Sequence, residues 1–398
     1  MKARQLVKAV GVALGCSAAA ASQAMDIKEA ITGGKYSVTL RYRAEYVDQD
    51  AAAKDALAST VLGRFTWNSS TDYAWQAGLE FDHVLRLGPE DYNNTINGKT
   101  QYPVVADPDG SDLNLAFLGY RGKTFQATAG RQRIVHANQR FVGGVAWRQN
   151  EQTYDSIRLT ATPIGDSSVK FDYSYVWRVN TIFGDNSPNG NRNGDLHLAT
   201  VNWQPAKDHA LSAFGYYLDF NRFDALSTAT FGGEYSGTIG PVNLRATIAT
   251  QSDAGDNPVD YSAMFYSAEL GFNVSKVKLV AGYELLGSDD GVKAFQTPLA
   301  TLHLFQGWAD LFLNTPNAGI EDIYVGAEGK VGKVSLVARL HDFNSDFGST
   351  DYGQEIDLSA GFPILGDKVQ ALVKFAYYDA DAFASDTTKV WVMLTTRF

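Results

Sequence analysis

The chain has 398 residues, a formal charge of −10 at neutral pH and a single cysteine, Cys16. An acidic balance disfavours nucleic acid as a partner, and one cysteine excludes a disulfide framework or a thiolate metal site. Hydrophobic content of 45% with 12% aromatics suits a soluble protein and a transmembrane barrel equally, so the class must come from patterning.

At the start of the chain, Lys2, Arg4 and Lys8 precede an uncharged run from Ala9 to Ala21 that is too short to cross a bilayer as a helix. This is the form of a secretory signal peptide over residues 1–24. Ser22-Gln23-Ala24 provides the small residues of a cleavage site, so the mature chain is expected to begin at Met25. A lipoprotein reading of Cys16 is weaker, because Leu14 stands one place too late and the apolar run continues past the cysteine. Cleavage removes three basic residues and no acidic one, taking the charge from −10 to −13, and leaves no cysteine. Residues 25–34 are then expected as a short periplasmic segment and 35–398 as a transmembrane β-barrel.

The barrel expectation rests on period-two alternation, which places apolar side chains toward lipid and polar ones toward the lumen. From Lys35 to Tyr46, Tyr36, Val38, Leu40, Tyr42, Ala44 and Tyr46 alternate with Lys35, Ser37, Thr39, Arg41, Arg43 and Glu45. The pattern returns at Tyr73, Trp75, Ala77, Leu79 and Phe81, and at Val169, Phe171, Tyr173, Tyr175 and Trp177. It appears again in the stretches beginning Val277, Val334 and Val369. About eighteen such segments can be counted, a size at which a barrel holds a water channel. Short turns are expected at 68–72, 120–123, 163–168, 205–209, 239–241, 273–276, 330–333 and 363–368. They alternate with longer connections, the longest being 88–110, 134–151, 181–194 and 287–319. Short periplasmic turns and long extracellular loops are the usual arrangement of an outer-membrane barrel.

A basic side chain facing lipid at mid-membrane costs about 2–4 kcal/mol. By register, Arg41, Arg43, Arg64, Arg86, Arg158, Lys170, Arg178, Arg245, Lys278, Arg339, Lys374, Lys389 and Arg397 all point inward. Arg131 departs: Phe125, Ala127 and Ala129 place it outward, so either Gly130 marks a bulge or the strand has left the membrane by then. The chain ends with Val390, Val392, Leu394, Thr396 and Phe398 outward. An aromatic carboxy-terminus resembles the signal read by the outer-membrane assembly machinery, and that strand must pair with the first to leave no unpaired edge.

Three blocks resemble the alginate export family of outer-membrane channels, in its shorter porin-like branch. They are Leu40-Arg41-Tyr42-Arg43 with Asp48-Gln49-Asp50; Gly130-Arg131-Gln132 through Asn138-Gln139-Arg140-Phe141-Val142-Gly143 to Trp147-Arg148-Gln149-Asn150-Glu151-Gln152-Thr153-Tyr154-Asp155; and Pro298-Leu299-Ala300-Thr301-Leu302-His303 through Gly307-Trp308-Ala309-Asp310 to Asp322-Ile323-Tyr324. The resemblance implies an eighteen-stranded barrel with extracellular loops folding into or over the pore. It leaves the substrate open.

The stretch from Arg131 to Asn150 contains Arg131, Arg133, Arg140 and Arg148 and no acidic residue. Folded inward, these guanidinium groups would form an anion-attracting constriction. Alternatively they bind lipopolysaccharide phosphates or pair with Glu151 and Asp155. The inward wall is mixed, since Glu45, Glu80, Asp82, Asp172, Glu269, Glu284, Asp322, Glu328, Glu355 and Asp357 share the register of the basic residues. A channel dedicated to a polyanion should be more lopsided. The candidate pore lining is therefore Arg41, Arg43, Arg64, Glu80, Asp82, Arg131, Arg133, Arg140, Arg148, Arg158, Arg178, Arg245 and Arg339.

The 287–319 loop spaces Leu299, Leu302, Phe305, Trp308, Leu311 and Phe312 near three apart, which suits a short helix serving as a plug or lid, or simply a packed loop core. His303, Trp308 and Asp310 are its candidate lid residues. His303 and Asp310 could be imagined as a dyad, although a structural hydrogen bond is the plainer reading. Asp107-Pro108-Asp109-Gly110-Ser111-Asp112 looks like half a calcium loop but has Leu118 where a closing carboxylate is needed. No nucleophile or zinc motif occurs, so no enzyme, cofactor or metal is expected. The expected function is a porin-like channel of the bacterial outer membrane. It would sit among lipids and lipopolysaccharide and pass polar, anionic or carbohydrate-like solutes. The alternative is a receptor, adhesin or structural barrel without transport, or a rim-site hydrolase.

Overall fold

The structure, a computed structural model, describes residues 31–72, 74–163, 165 and 167–398. The expected leader and cleavage site, and Tyr73, lie outside the described residues.

The alternation becomes strands in chain order. The first five are β1 (Lys35–Gln49), β2 (Ala56–Asn68), β3 (Trp75–Arg86), β4 (Gly110–Arg121) and β5 (Phe125–Gln132). They are followed by β6 (Thr153–Ala161), β7 (Val169–Asn180), β8 (Asn191–Ala206) and β9 (His209–Phe220). Next come β10 (Thr228–Ile239), β11 (Val242–Asp253), β12 (Ser262–Val274) and β13 (Val277–Leu286). A two-residue hairpin, β14 (Ser288–Asp289) and β15 (Lys293–Ala294), sits inside the longest loop. The wall resumes with β16 (Ile320–Val331), β17 (Val334–Asn344), β18 (Asp351–Ile364), β19 (Val369–Ala380) and β20 (Thr387–Arg397). Apart from the hairpin, these form one 18-stranded antiparallel sheet in which each strand pairs with the next.

Closure is made by β1 on β20, with Leu40 opposite Thr396 and Glu45 opposite Trp391. Phe398 extends the seam, exchanging backbone hydrogen bonds of 2.9 and 3.1 Å with Val38. Every edge is thereby paired, as a sheet in hydrocarbon requires. All eight expected short turns join strands at one end, and the four expected long loops lie at the other.

The two faces separate as the pattern demands. On β1, Tyr36 is 57% exposed toward lipid and Arg43 only 1%. Among the described residues, register shifts mark five strand pairings; in two of them Asn114 is the extra residue of β4 against β3 and Trp177 that of β7 against β6. Gly130, where the sequence offered a bulge, has a left-handed φ of 115°, and a Cβ there would lie 2.3 Å from the Ala116 carbonyl oxygen. The pairing of β5 with β6 nevertheless runs through it unshifted, and Arg131 lies opposite Asp155.

The lumen is packed where the 133–152 and 287–319 loops fold into it. One cluster gathers Phe265, Phe295, Phe312, Phe343, Tyr378 and Trp391, and another gathers Ile134, Val142, Tyr154, Leu196, Phe220 and Leu299. Burying such side chains stabilises by about 1.5–3 kcal/mol each, enough to hold both loops inside. The helix expected in the second loop is absent. Only a 3-10 turn forms, Leu302–Leu304, because Gln306, Gly307 and Asp310 take positive φ of 49°, 77° and 59° and turn the chain instead. Leu299 and Phe312 are buried in the lumenal core all the same.

Candidate functional site

The two inward loops and the wall residues that hold them bring together most of the candidate residues. The 133–152 loop lies on β1 to β3. Arg41 donates from Nε to Oε1 of Gln149 at 2.8 Å, from Nη1 to the Ala146 carbonyl at 3.0 Å, and from Nη2 to the Arg148 carbonyl. Arg43 donates to the intervening Trp147 carbonyl at 2.5 Å. Three successive carbonyls, otherwise unpaired once removed from water, are thus satisfied by two wall arginines. Gln149 completes the seat, donating to Oγ1 of Thr60 at 2.9 Å.

The loop arginines in turn meet wall carboxylates. Arg148 pairs with Glu45 at 2.8 Å, and lies 3.7 Å from Asp107 and 3.6 Å from Asp310. Arg133 bonds Glu80 and, at 2.5 Å, Glu151. Arg64 joins the same group through Asp82 at 2.6 Å and Glu151 at 2.5 Å. Arg140 is buried on Glu284 at 2.9 Å, with further donor bonds to Thr297 and Gln306. Arg131 pairs with Asp155 at 2.8 Å. Arg131 at the end of β5 and the three loop arginines are therefore engaged one by one, and Glu151 and Asp155 are among their partners. The strong positive field expected of unpaired guanidinium groups is cancelled at short range.

The 287–319 loop is held by β18 to β20. Backbone N–H groups of Ala309 and Trp308 donate to Glu355 at 2.7 Å and Asp357 at 3.2 Å. Lys374, on β19, sits in an aromatic cage, its ammonium 3.5 Å from the Trp308 ring centroid, 4.2 Å from Trp147 and 5.5 Å from Trp391. Its Nζ also lies 2.7 Å from Nε2 of His303, whose ring stacks on Trp147 at 4.3 Å. Nδ1 of His303 is 2.8 Å from Asp310. Burial pushes the His303 imidazole down to about 3, with Lys374 adding to the effect against Asp310. The ring is then neutral, donating from Nδ1 to Asp310 and accepting from Lys374 at Nε2. Both nitrogens are committed, so the pair is a structural hydrogen bond and not a general base in waiting. Asp310 also faces Lys389 at 3.7 Å. Burial opposes its ionisation, but His303, Lys389 and Arg148 together hold its carboxyl below the usual range.

The two loops are joined to each other. Val142 and Leu299 form a parallel bridge, Thr301 donates to Oε1 of Gln139 at 2.7 Å, and the Val145 N–H donates to Thr301 at 3.0 Å. Gln139 and Val145 have φ of 71° and 49°, strained values that these bonds hold in place.

The remaining candidates stand lower on the wall or apart. Arg158 clasps Asp172, Arg245 pairs with Glu234 at 2.6 Å, and Arg339 pairs with Glu328 at 2.9 Å. Arg178 has no carboxylate within 4 Å among the described residues and belongs to no cluster. Of the half calcium loop, Asp107 is directed to Arg43 at 3.3 Å and Asp112 to Arg131 at 3.4 Å, so the two carboxylates face different arginines. Sequence reasoning did not single out Glu45, Glu284, Lys374, Trp147 or Trp391 as site residues. Their inward register was readable for the strand residues, but nothing local marks which loop group each one meets.

A closed wall with lipid-facing apolar residues, a charged lumen and inward-folded loops defines an outer-membrane channel of the porin kind. The alginate export family model matches residues 35–283, and the chain belongs to that family. Pro298 to Tyr324, the third of the resembling blocks, lies beyond the matched segment. Comparison with curated proteins returns no match. Among solved structures, the chain is similar to Pseudomonas aeruginosa OccK3 (OpdO), at 12% identity and a TM-score of 0.72, covering 94% of this chain and 97% of that one. It is also similar to Acinetobacter baumannii OccAB2, at 18% identity and 0.69, covering 93% and 99%. Pseudomonas aeruginosa OpdK, solved with vanillate, matches at 11% identity and 0.69, covering 92% and 98%. Such low identities carry the fold.

Proposed function

We infer that the protein is a diffusion channel for small polar solutes, carbohydrate-like or anionic, with weak preference between charge signs. The observation that carries this reading is the pairwise matching of lumenal charge: Arg131, Arg133, Arg140 and Arg148 each face a carboxylate on a strand of the wall. A polysaccharide of repeated negative charge is the poorer fit. The signal peptide and the recognition of the strand ending at Phe398 by the assembly machinery belong to the same proposal.

Purified protein in a planar bilayer tests it. Ion conductance with a reversal potential near zero under a salt gradient is expected, and absence of conductance in every salt would remove the channel reading. A second reading, a receptor or structural barrel without transport, is favoured by the two apolar clusters packed inside the lumen. The same conductance measurement separates the two.

A further inference from the structure

Beneath the 133–152 loop, toward the short-turn end, the lumen holds a recess of about 150 Å3 between β6, β7, β8, β9 and β10. Its lining is of two kinds. Part is aromatic, the rings of Phe214 and Phe141, with centroids 4.8 Å apart. Next to Phe214 along the same β8–β9 ladder lie Asn202 and Ser212, themselves joined by a 2.7 Å hydrogen bond, and Asp172 also lines the space.

Two ion pairs border the recess. Arg158 clasps Asp172 at 2.5 Å, and Glu234 is taken by Arg245 at 2.6 Å. Hydrogen-bonding capacity is left over nonetheless. The buried Nε2 of His136 has no hydrogen-bond partner, Asp172 being 3.8 Å away, and Lys170 stands exposed outside every ion pair among the described residues. An aromatic face bordered by amide, hydroxyl and carboxylate groups matches a ring whose C–H surface stacks while its hydroxyls both donate and accept. For an anion, Lys170 is the one unengaged Lys or Arg among the described lining residues, and Asp172 and Glu234 counter it, whereas an uncharged ring meets no such opposition.

We propose that this recess binds a single uncharged, polyhydroxylated ring the size of one sugar residue, entering from the short-turn end. The proposal rests on the reading of the barrel as a channel for small polar solutes.

Saturation-transfer NMR on the purified barrel in detergent tests it, with glucose as the probe and glucuronate and glucosamine as its charged counterparts. Transfer to the ring protons of glucose is expected to exceed that to either charged sugar. It should fall by about fivefold in Phe214→Ala and in Asn202→Leu, the scale of one lost contact. Both variants should keep the wild-type strand circular dichroism and heat-modifiable migration on gels, which certifies their assembly; if Phe214→Ala does not assemble, Asn202→Leu carries the comparison. No transfer from the wild-type barrel, or transfer to glucuronate alone, overturns the proposal. A barrel that binds glucose yet conducts no ions would instead sink the channel reading and leave the site standing.

Discussion

Arg148, on a loop, and Glu45, on the first strand, meet at 2.8 Å with almost no exposure of either side chain. The contact fixes the 133–152 loop to the wall at a depth where an unpaired charge of either sign is costly. Removing one member of a buried pair costs about 3–5 kcal/mol, because the other is left uncompensated. That magnitude exceeds what a loop of this length can absorb without moving.

Arg148→Ala is therefore expected to release the loop rather than only to subtract a positive charge. Single-channel currents should become larger and noisier, and the reversal potential should shift toward cations as Glu45 and Asp107 lose a partner. Unchanged conductance and noise would mean that the loop is held elsewhere.

Replacement of Lys374 by Met removes the cation from its three indoles, a desolvated cation–π arrangement contributing about 2 kcal/mol. Acrylamide should then quench tryptophan fluorescence more strongly, and protease should cut the 287–319 loop sooner. Equal quenching in variant and wild type would argue against the cage as an anchor.

Gly143 stands where the two loops touch, and a Cβ there would lie 2.3 Å from Oγ1 of Thr301. Gly143→Val should separate the loops while leaving the wall closed. Faster proteolysis within 287–319 with unaltered circular dichroism in the strand region is the expected pair of results.

Acid should loosen the same assembly. Asp310 and Glu151 are both held below the usual carboxylate range against the opposing effect of burial, Glu151 by Arg64 and Arg133. Depressed carboxyl groups stabilise fully above their unfolded value of about 3.9–4.3 and lose that contribution as pH falls through the folded value. His303 acts in the same direction, since its folded value of about 3 lies below 6.5, so that between the two only the released loop takes up the proton. Channel noise should rise progressively as pH falls from about 6.5 and more steeply below about 4. Constant noise down to pH 3 would contradict this.

The strands were legible because each obeys a local rule. A wall between lipid and water forces period two on Lys35 to Tyr46 as surely as on Val390 to Phe398, and the short turns fall where that period breaks. The loops obey no such rule. The spacing of Leu299, Leu302 and Phe305 suggested a helix, yet positive φ at Gln306, Gly307 and Asp310 redirects the chain so that its side chains fill the lumen.

From the sequence alone came a closed barrel, its inward face and the mixture of charge on that face, all consequences of which side chains hydrocarbon tolerates. Which charges meet was decided by the tertiary structure. Arg148 and Glu45 are 103 residues apart, and Lys374 reaches a histidine 71 residues away. Only closure of the barrel and infolding of the loops bring such groups within hydrogen-bond range, where burial makes each pairing count.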